Sequence, residues 1–163
     1  MNILEEISNH INEANKLARE NGFGNIFYNE QYLEIIISNI LNHKYTEGQG
    51  SDAVDLDGFD VEYKTINLDN KSAGSFQFHW LSKNKIEKYE KCKNIYFCTR
   101  RGTEILEIYE LKSEIILPFL INKAKEKGTY CENNKKKISA HKSFSLSKIK
   151  SLGGKLIYEK WNI

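Results

Sequence analysis

The sequence predicts a single compact α+β domain in which helices flank a central mixed β-sheet. Its 163 residues match one domain with its own hydrophobic core. Apolar residues recur at helical spacing near the start, and short strand-like apolar runs follow in the middle of the chain. No internal repeat or linker-like stretch divides the chain, so a second domain is not expected.

Two amphipathic helices are predicted first. The first covers residues 2–20 and ends at Asn21-Gly22, a usual C-terminal signal. A second helix, from about Glu30 to Leu41, is denser in isoleucine and is expected to be more deeply buried. The single apolar stripe of the first helix could pack on the core or on a second subunit, and both readings stay open. This stripe consists of Ile3, Leu4, Ile7, Ile11, Ala14, Leu17 and Ala18.

A hairpin over residues 50–64 is the most informative stretch. Asp57-Gly58 predicts its turn, and a three-residue loop with Gly58 in the left-handed conformation would pair Asp55 with Phe59. The same register brings Asp52 opposite Glu62. Strand alternation puts Lys64 on the same face, so two carboxylates and an ammonium group converge.

This convergence of charge works against folding. Like charges that face each other across a ladder destabilise it, and buried carboxylates need partners. A divalent cation such as Mg²⁺, which prefers hard oxygen ligands, would resolve the conflict. The alternative is a solvated hairpin face on which Glu62 and Lys64 pair with each other. Glu34, within the second helix, either faces solvent or supports such a metal centre.

The remaining chain alternates loops, strands and helices. Around the hairpin we expect a polar loop at 44–50, a second strand that continues to Leu68, and a strand or loop at 75–81. A charged helix at 86–93 is followed by strands at 94–99 and 105–111, which a turn at Arg101-Gly102 joins. The chain then forms a helix at 113–127 with Pro118 near its start, a strand-like run at 144–146, and a final strand at 155–158.

The charge is unevenly distributed. Residues 123–163 carry a net charge of +8, and the rest of the chain carries −6. A basic segment on a mildly acidic body suggests a polyanionic partner, of which nucleic acid is the commonest. A lysine-rich surface that keeps the protein soluble is the alternative.

The start of the chain and its cysteines favour a cytoplasmic protein. No basic region followed by an apolar run marks a secretory signal, and no apolar run has the length of a membrane span. Three cysteines, none in a CxxC arrangement, argue against a structural zinc site or a disulfide framework.

The spacing of Asp52, Glu62 and Lys64 resembles the PD-(D/E)xK nuclease superfamily. Over nearly its whole length the chain is similar to type II restriction endonucleases of the PvuII family. The ordered matches are Gly22–Phe27, the hairpin through Asn67, His79 with Tyr89, Arg101-Gly102 with 108–111, Asn133-Asn134, and 154–158. The resemblance implies a restriction-endonuclease-like sheet and sequence-specific hydrolysis of double-stranded DNA.

The resemblance also implies residue roles for catalysis. Asp52, Glu62 and the main-chain carbonyl of Tyr63 would bind Mg²⁺ as the cofactor. Lys64 would position or activate the attacking water and stabilise charge in the transition state. Tyr89 is a supporting residue. Whether Glu34 or Glu47 assists is left open.

DNA reading is assigned to two further segments by the same resemblance. Asn133 and Asn134 suit a bidentate contact with adenine, and the adjacent Lys135 suits phosphate. His79 is a candidate base reader, but Trp80 stands where the family has a base-contacting His. The recognised sequence is therefore open. His10, His43 and His141 have no motif around them and are interpreted as surface or packing residues.

A palindromic site cut on both strands predicts a homodimer. We expect residues 1–45 to form a helical dimerisation region, 46–122 the catalytic core, and 123–163 a basic DNA-recognition region. A cognate DNA methyltransferase is the expected functional partner, and no membrane contact is expected. Two alternatives stay open, namely another nuclease of the superfamily (a repair nickase or junction resolvase) and a non-catalytic DNA-binding protein.

Overall fold

The computed structural model describes residues 2–46, 50–70, 74–131 and 139–160. The helices are α1 (Ile3–Glu20), α2 (Gln31–Leu41), α3 (Lys83–Lys91), α4 (Ser113–Glu126) and α5 (Leu146–Ser151), with a 3₁₀ turn at Tyr28–Glu30. The strands are β1 (Lys44–Tyr45), β2 (Ala53–Val54), β3 (Asp60–Asn67), β4 (Phe76–Phe78), β5 (Cys92–Arg101), β6 (Glu104–Lys112), β7 (Lys142–Phe144) and β8 (Lys155–Glu159).

Six strands form one mixed sheet in the order β1-β2-β3-β5-β6-β8. The β3–β5 pair is parallel, and the other pairs of this sheet are antiparallel. A separate two-stranded antiparallel sheet consists of β4 and β7. The single α+β domain and its mixed sheet flanked by helices confirm the predicted fold class.

Strand β3 divides the core into two clusters. Val61 and Tyr63 point to the face covered by α2, where they pack with Ile37. Ile66 belongs to the opposite face, where Phe76, Phe78, Tyr89 and Phe97 form the larger cluster with residues of α4 and α5. Because side chains alternate along a strand, Glu62 and Lys64 share the face of Ile66 and lie beside the small β4–β7 sheet.

The hairpin register is the predicted one. Ala53 pairs with Val61 and Val54 with Asp60, and Gly58 adopts a φ of +86° at the turn. Strand β2 has only two residues, whereas β3 pairs with β5 from Asp60 to Asn67. The second half of β3 therefore has an open edge on the β2 side, and this edge faces a cleft.

Helix α1 contributes almost nothing to the core of its own chain. Asn2 caps it by accepting a hydrogen bond from the N–H of Leu4, and Ala18 is its one buried residue. The apolar stripe is largely exposed, with Ile3 at 63%, Leu4 at 70%, and Ile7 and Ile11 each at 48%. Such an exposed stripe on an amphipathic helix is typical of an interaction surface.

Four local predictions were wrong. The predicted loop at 44–50 begins as the short strand β1, because Lys44 and Tyr45 pair with β2. Helix α3 starts three residues before the predicted position, because the Ser82 side chain caps it by accepting a hydrogen bond from the N–H of Lys85. It also ends at Lys91, and the residues that follow join β5.

The other two errors lie further along the chain. Pro118 is the sixth residue of α4, where burial of Ile116 and Leu120 outweighs its missing N–H. The run after Phe144 continues as helix α5, which Ser145 caps. None of the helices in the described part of the chain combines the length and apolar character needed to cross a bilayer.

Candidate active site

Asp52 lies one residue before β2 and reaches across to β3. Its carboxylate Oδ2 accepts a hydrogen bond of 2.7 Å from the main-chain N–H of Tyr63, and its own N–H donates to the carbonyl of Val61. In a strand the N–H and C=O of one residue point to the same side. The Tyr63 carbonyl therefore lies on the open edge of β3, on the side where the Asp52 carboxylate sits.

Glu62 and Lys64 form a buried ion pair on one face of β3. The Lys64 ammonium donates a hydrogen bond to Oε1 of Glu62, and the two side chains are only 16% and 11% exposed. The ammonium also lies 5.3 Å from the ring centre of Phe78 and 5.6 Å from that of Tyr89. Tyr89, itself buried, thus contacts the site as an aromatic wall for the cation.

The surroundings keep Lys64 protonated. Burial, the largest single influence, lowers the pKa of Lys64, but the carboxylates of Glu62 and Asp52 together hold it above its usual value. The Lys64 ammonium therefore serves as a hydrogen-bond donor and a positive charge in this arrangement.

Several carboxylates lie around the Lys64 ammonium. Burial, and then repulsion from Glu62, raises the pKa of Asp52 to about 7. Burial, followed by repulsion from Asp52 and Glu62, raises the pKa of Glu34 to about 8. These three carboxylates thus surround the Lys64 ammonium, and Lys85 adds a weaker positive influence at Asp52.

The donor set fits a magnesium ion. The groups available are the carboxylates of Asp52 and Glu62 and the main-chain carbonyl of Tyr63, which are all hard oxygen ligands. A bound cation would also offset the negative charge that raises the pKa of Asp52. Among the described residues, no group of three or more His, Cys, Asp or Glu side chains could hold a metal. Mg²⁺ usually keeps several waters, so two carboxylates and a carbonyl suit it.

A cleft of about 350 Å³ opens between α2 and the small sheet beside this site. Glu34 of α2 lines one side, Gln77 and His79 line the other, and Lys64 lies on its wall. The sequence left open whether Glu34 faces bulk solvent or a metal centre. In the structure its side chain lines the cleft beside the charged residues.

The other hairpin aspartates make structural contacts. Asp55 Oδ1 accepts hydrogen bonds from the N–H groups of Asp57 and Phe59, which closes the turn. Asp60 accepts from the Ser51 hydroxyl at 3.0 Å. None of these carboxylates is drawn into the charge cluster of Asp52, Glu62 and Lys64.

His43 packs against aromatic residues and His141 lies at the surface, as expected, but both also make specific hydrogen bonds that the sequence did not predict. His141 forms an Nδ1–Nδ1 hydrogen bond of 2.9 Å with His79, although 62 residues separate them. His43 Nδ1 lies 2.9 Å from the Tyr63 hydroxyl, behind the candidate metal ligand. No local sequence signal could have found either contact, because each depends on strands that pair at a distance. His10 is exposed on α1, as expected.

Several of the predicted residues cannot be placed. Asn133, Asn134 and Lys135, the proposed readers of bases and phosphate, lie outside the described residues, and so does Glu47. Within the described part of the chain, the structure brings Asp52, Glu62, Lys64 and Tyr89 together and puts His79 on the adjoining cleft.

Two comparisons with known proteins bear on this geometry. A search of the curated proteins found no match. The family model described as restriction endonuclease PvuII matches residues 1–158, which is nearly the whole chain. Members of this family are type II site-specific deoxyribonucleases that generally use a divalent metal and act on DNA. The chain belongs to the PvuII restriction endonuclease family.

Proposed function

We propose that the protein is a homodimeric type II restriction endonuclease that uses Mg²⁺ to cut both strands of DNA at a short palindromic site. The observation that carries this proposal is the arrangement at the open edge of β3. There, the buried Lys64–Glu62 pair lies beside the Asp52 carboxylate, which is fixed on the N–H of Tyr63.

The roles of the residues follow from their charges and positions. Asp52, Glu62 and the Tyr63 carbonyl would hold Mg²⁺, which polarises a phosphate and lowers the pKa of an attacking water. Lys64, held as an ammonium, donates hydrogen bonds and stabilises the negative charge that develops on the phosphate oxygens. Tyr89 keeps the Lys64 chain in place through its ring.

Helix α1 supports the homodimer. Its exposed stripe buries too little surface in one chain to account for five large apolar residues at helical spacing, since Leu17 is exposed as well as the four residues given above. A second copy of α1, related by a two-fold axis, would cover the stripe and set one catalytic centre against each DNA strand. Residues 1–45 then form the dimerisation region, with the catalytic core at 46–122.

DNA reading is assigned to the basic C-terminal segment together with His79. Residues 123–163 are strongly basic, and Asn133, Asn134, Lys135 and His79 are the proposed contacts.

A protein that cuts a short DNA sequence would also cut its own genome, so a companion methyltransferase is expected. The cytoplasm, where DNA and reduced cysteines coexist, is the proposed compartment. Cys92, Cys98 and Cys131 are all free.

Digestion of a long duplex of known sequence with Mg²⁺ tests the proposal. Discrete fragments with matched ends on both strands are expected. Smears, single-strand nicks or cleavage of four-way junctions would instead indicate another nuclease of the superfamily. Binding without cleavage, by a folded protein, would overturn the proposal in favour of a DNA-binding protein.

A further inference from the structure

The small β4–β7 sheet brings two histidines together beyond its ends. Phe78 pairs with Lys142, and the same antiparallel register sets His79 opposite His141. Their Nδ1 atoms are 2.9 Å apart, and the two rings meet edge to face with centres separated by 5.1 Å. Both residues are exposed, so the imidazole pair lies at the surface beside the cleft.

Trp80 is an extra residue in this ladder. The N–H of Leu81 donates to the carbonyl of Ala140 at 2.9 Å, so two residues of one segment, Trp80 and Leu81, oppose one residue of the other. This is the geometry of a β-bulge, which redirects side chains and is common near functional sites. Leu81 and Ala140 are both buried, and they anchor the bulge.

The bulge carries backbone strain at an unusual side chain. Trp80 has a φ of +56°, a region in which glycine is favoured and which costs a bulky residue about 1–2 kcal/mol. Burial does not offset this cost, because Trp80 is 69% exposed. Its ring instead lies edge-on against His141, with ring centres 5.5 Å apart. The strain thus holds an aromatic side chain against the imidazole pair.

An Nδ1–Nδ1 hydrogen bond couples the tautomers of the two rings. One ring must donate and the other must accept, so when both are neutral one Nε2 is an acceptor and the other Nε2 carries a proton. Groups that discriminate among base edges need donors and acceptors in fixed places, because the major groove presents a distinct pattern for each base pair. His79 also lines the cleft that contains Lys64.

We propose that His141 is a specificity-determining residue. It orients His79 against the base edges of duplex DNA and couples the tautomer of His79 to its own, while strained Trp80 holds His141 in place. This inference rests on the proposed function, and it concerns the choice of sequence instead of the cutting step. His141 acts through His79 and is therefore a positioning residue.

Selection of cleaved sites from a randomised duplex library with Mg²⁺ tests this. His141→Ala should lower the preference for the best site over its single-base neighbours by about 10–100-fold at one or two positions. His141→Asn, whose amide keeps one donor and one acceptor, should recover part of that preference. Asn84→Ala, at an exposed position on α3 that has no assigned role, is the control and should leave the preference unchanged.

Trp80→Gly separates function from stability. Removing a bulky residue from positive φ should leave the melting temperature equal or higher, while the sequence preference falls as in His141→Ala. A purely structural Trp80 would give the same stability result with an unchanged preference. That result, or a His141→Ala protein with the wild-type preference, would overturn the inference alone. A wild-type protein that cuts with no preference would overturn both the inference and the proposed function.

Discussion

The carboxylate of Asp52 accepts a 2.7 Å hydrogen bond from the main-chain N–H of Tyr63, the residue between Glu62 and Lys64. This bond ties the Asp52 carboxylate directly to the strand that carries the other two charged groups. The backbone of β3 therefore holds the Asp52 carboxylate in place, in addition to the rotamer preference of the Asp52 side chain. The catalytic roles can therefore be tested by changes that keep this acceptor.

Asp52→Asn keeps an oxygen for the Tyr63 N–H but removes the charge. We expect cleavage to fall at least about 100-fold and Mg²⁺ binding, measured by calorimetry, to weaken strongly. Without metal at pH 8 the variant should melt at a higher temperature, because the charged Asp52 is held against burial and Glu62. Asp60→Asn is the matched control in the same hairpin, and it should cut normally. Equal losses in both variants would contradict the role of Asp52.

Lys64→Ala should abolish cutting while DNA binding persists. The change also leaves Glu62 buried without its partner, which should cost about 3 kcal/mol of unfolding free energy. A Glu62→Gln/Lys64→Met double variant should recover stability but not cleavage, which separates folding from chemistry. Lys93→Ala, at an exposed pair with Asp57, should leave both unchanged. A Lys64→Ala protein that cuts DNA would rule out the assigned role.

The metal-free protein should lose stability as the pH rises. The pKa values of Asp52 and Glu34 are raised from 3.8 and 4.5 to about 7 and about 8 in the folded state. The folded protein therefore binds more protons than the unfolded chain between about pH 4 and pH 8, and the free energy of unfolding falls across that window. We expect a total loss on the order of 3 kcal/mol after allowance for solvent screening.

Urea unfolding at several pH values measures this loss. Glu34→Gln should flatten the profile, Glu20→Gln on α1 should not, and added Mg²⁺ should reduce the loss at high pH. A stability that rises from pH 5 to pH 8 without metal would show that these carboxylates are not held against burial and mutual repulsion.

Ile7→Asp should disrupt the proposed dimer. Ile7 lies in the middle of the exposed α1 stripe, where a charge would be buried against the second copy. Sedimentation should show a folded monomer that no longer makes paired cuts in both strands. Asn9→Asp adds the same charge on the other face of α1 and should remain dimeric. An Ile7→Asp protein that sediments as a dimer would exclude this helix as the interface.

Local signals were sufficient for the hairpin and the charged cluster. Asp57-Gly58 determines the turn, and period-two alternation then determines which side chains share a face, so Glu62 and Lys64 could be brought together from spacing alone. The position of Glu34 could not be decided in this way. It depends on the packing of α2 against β3, and a carboxylate at a gap in an apolar stripe fits both solvent and a cleft.

Pairing between distant segments explains the remaining misses. His141 lacks a motif because its partner lies just after β4, far away in sequence, and the register that brings them together is set by the β4–β7 pair with its buried Phe78 and Phe144. In the sequence Trp80 looks like an ordinary aromatic residue, because nothing in the composition around it indicates a positive φ. Helix α5 and strand β1 are too short for periodicity to identify them.

The two-residue length of β2 has a consequence for spectroscopy. Most amides of a paired strand are held by a neighbouring backbone, but that of Tyr63 donates to the side chain of Asp52. Its nuclear magnetic resonance shift and its rate of exchange with deuterium should therefore follow the charge and ligation of one carboxylate. The Tyr63 amide thus offers a built-in probe of metal occupancy that can be observed without DNA and without turnover.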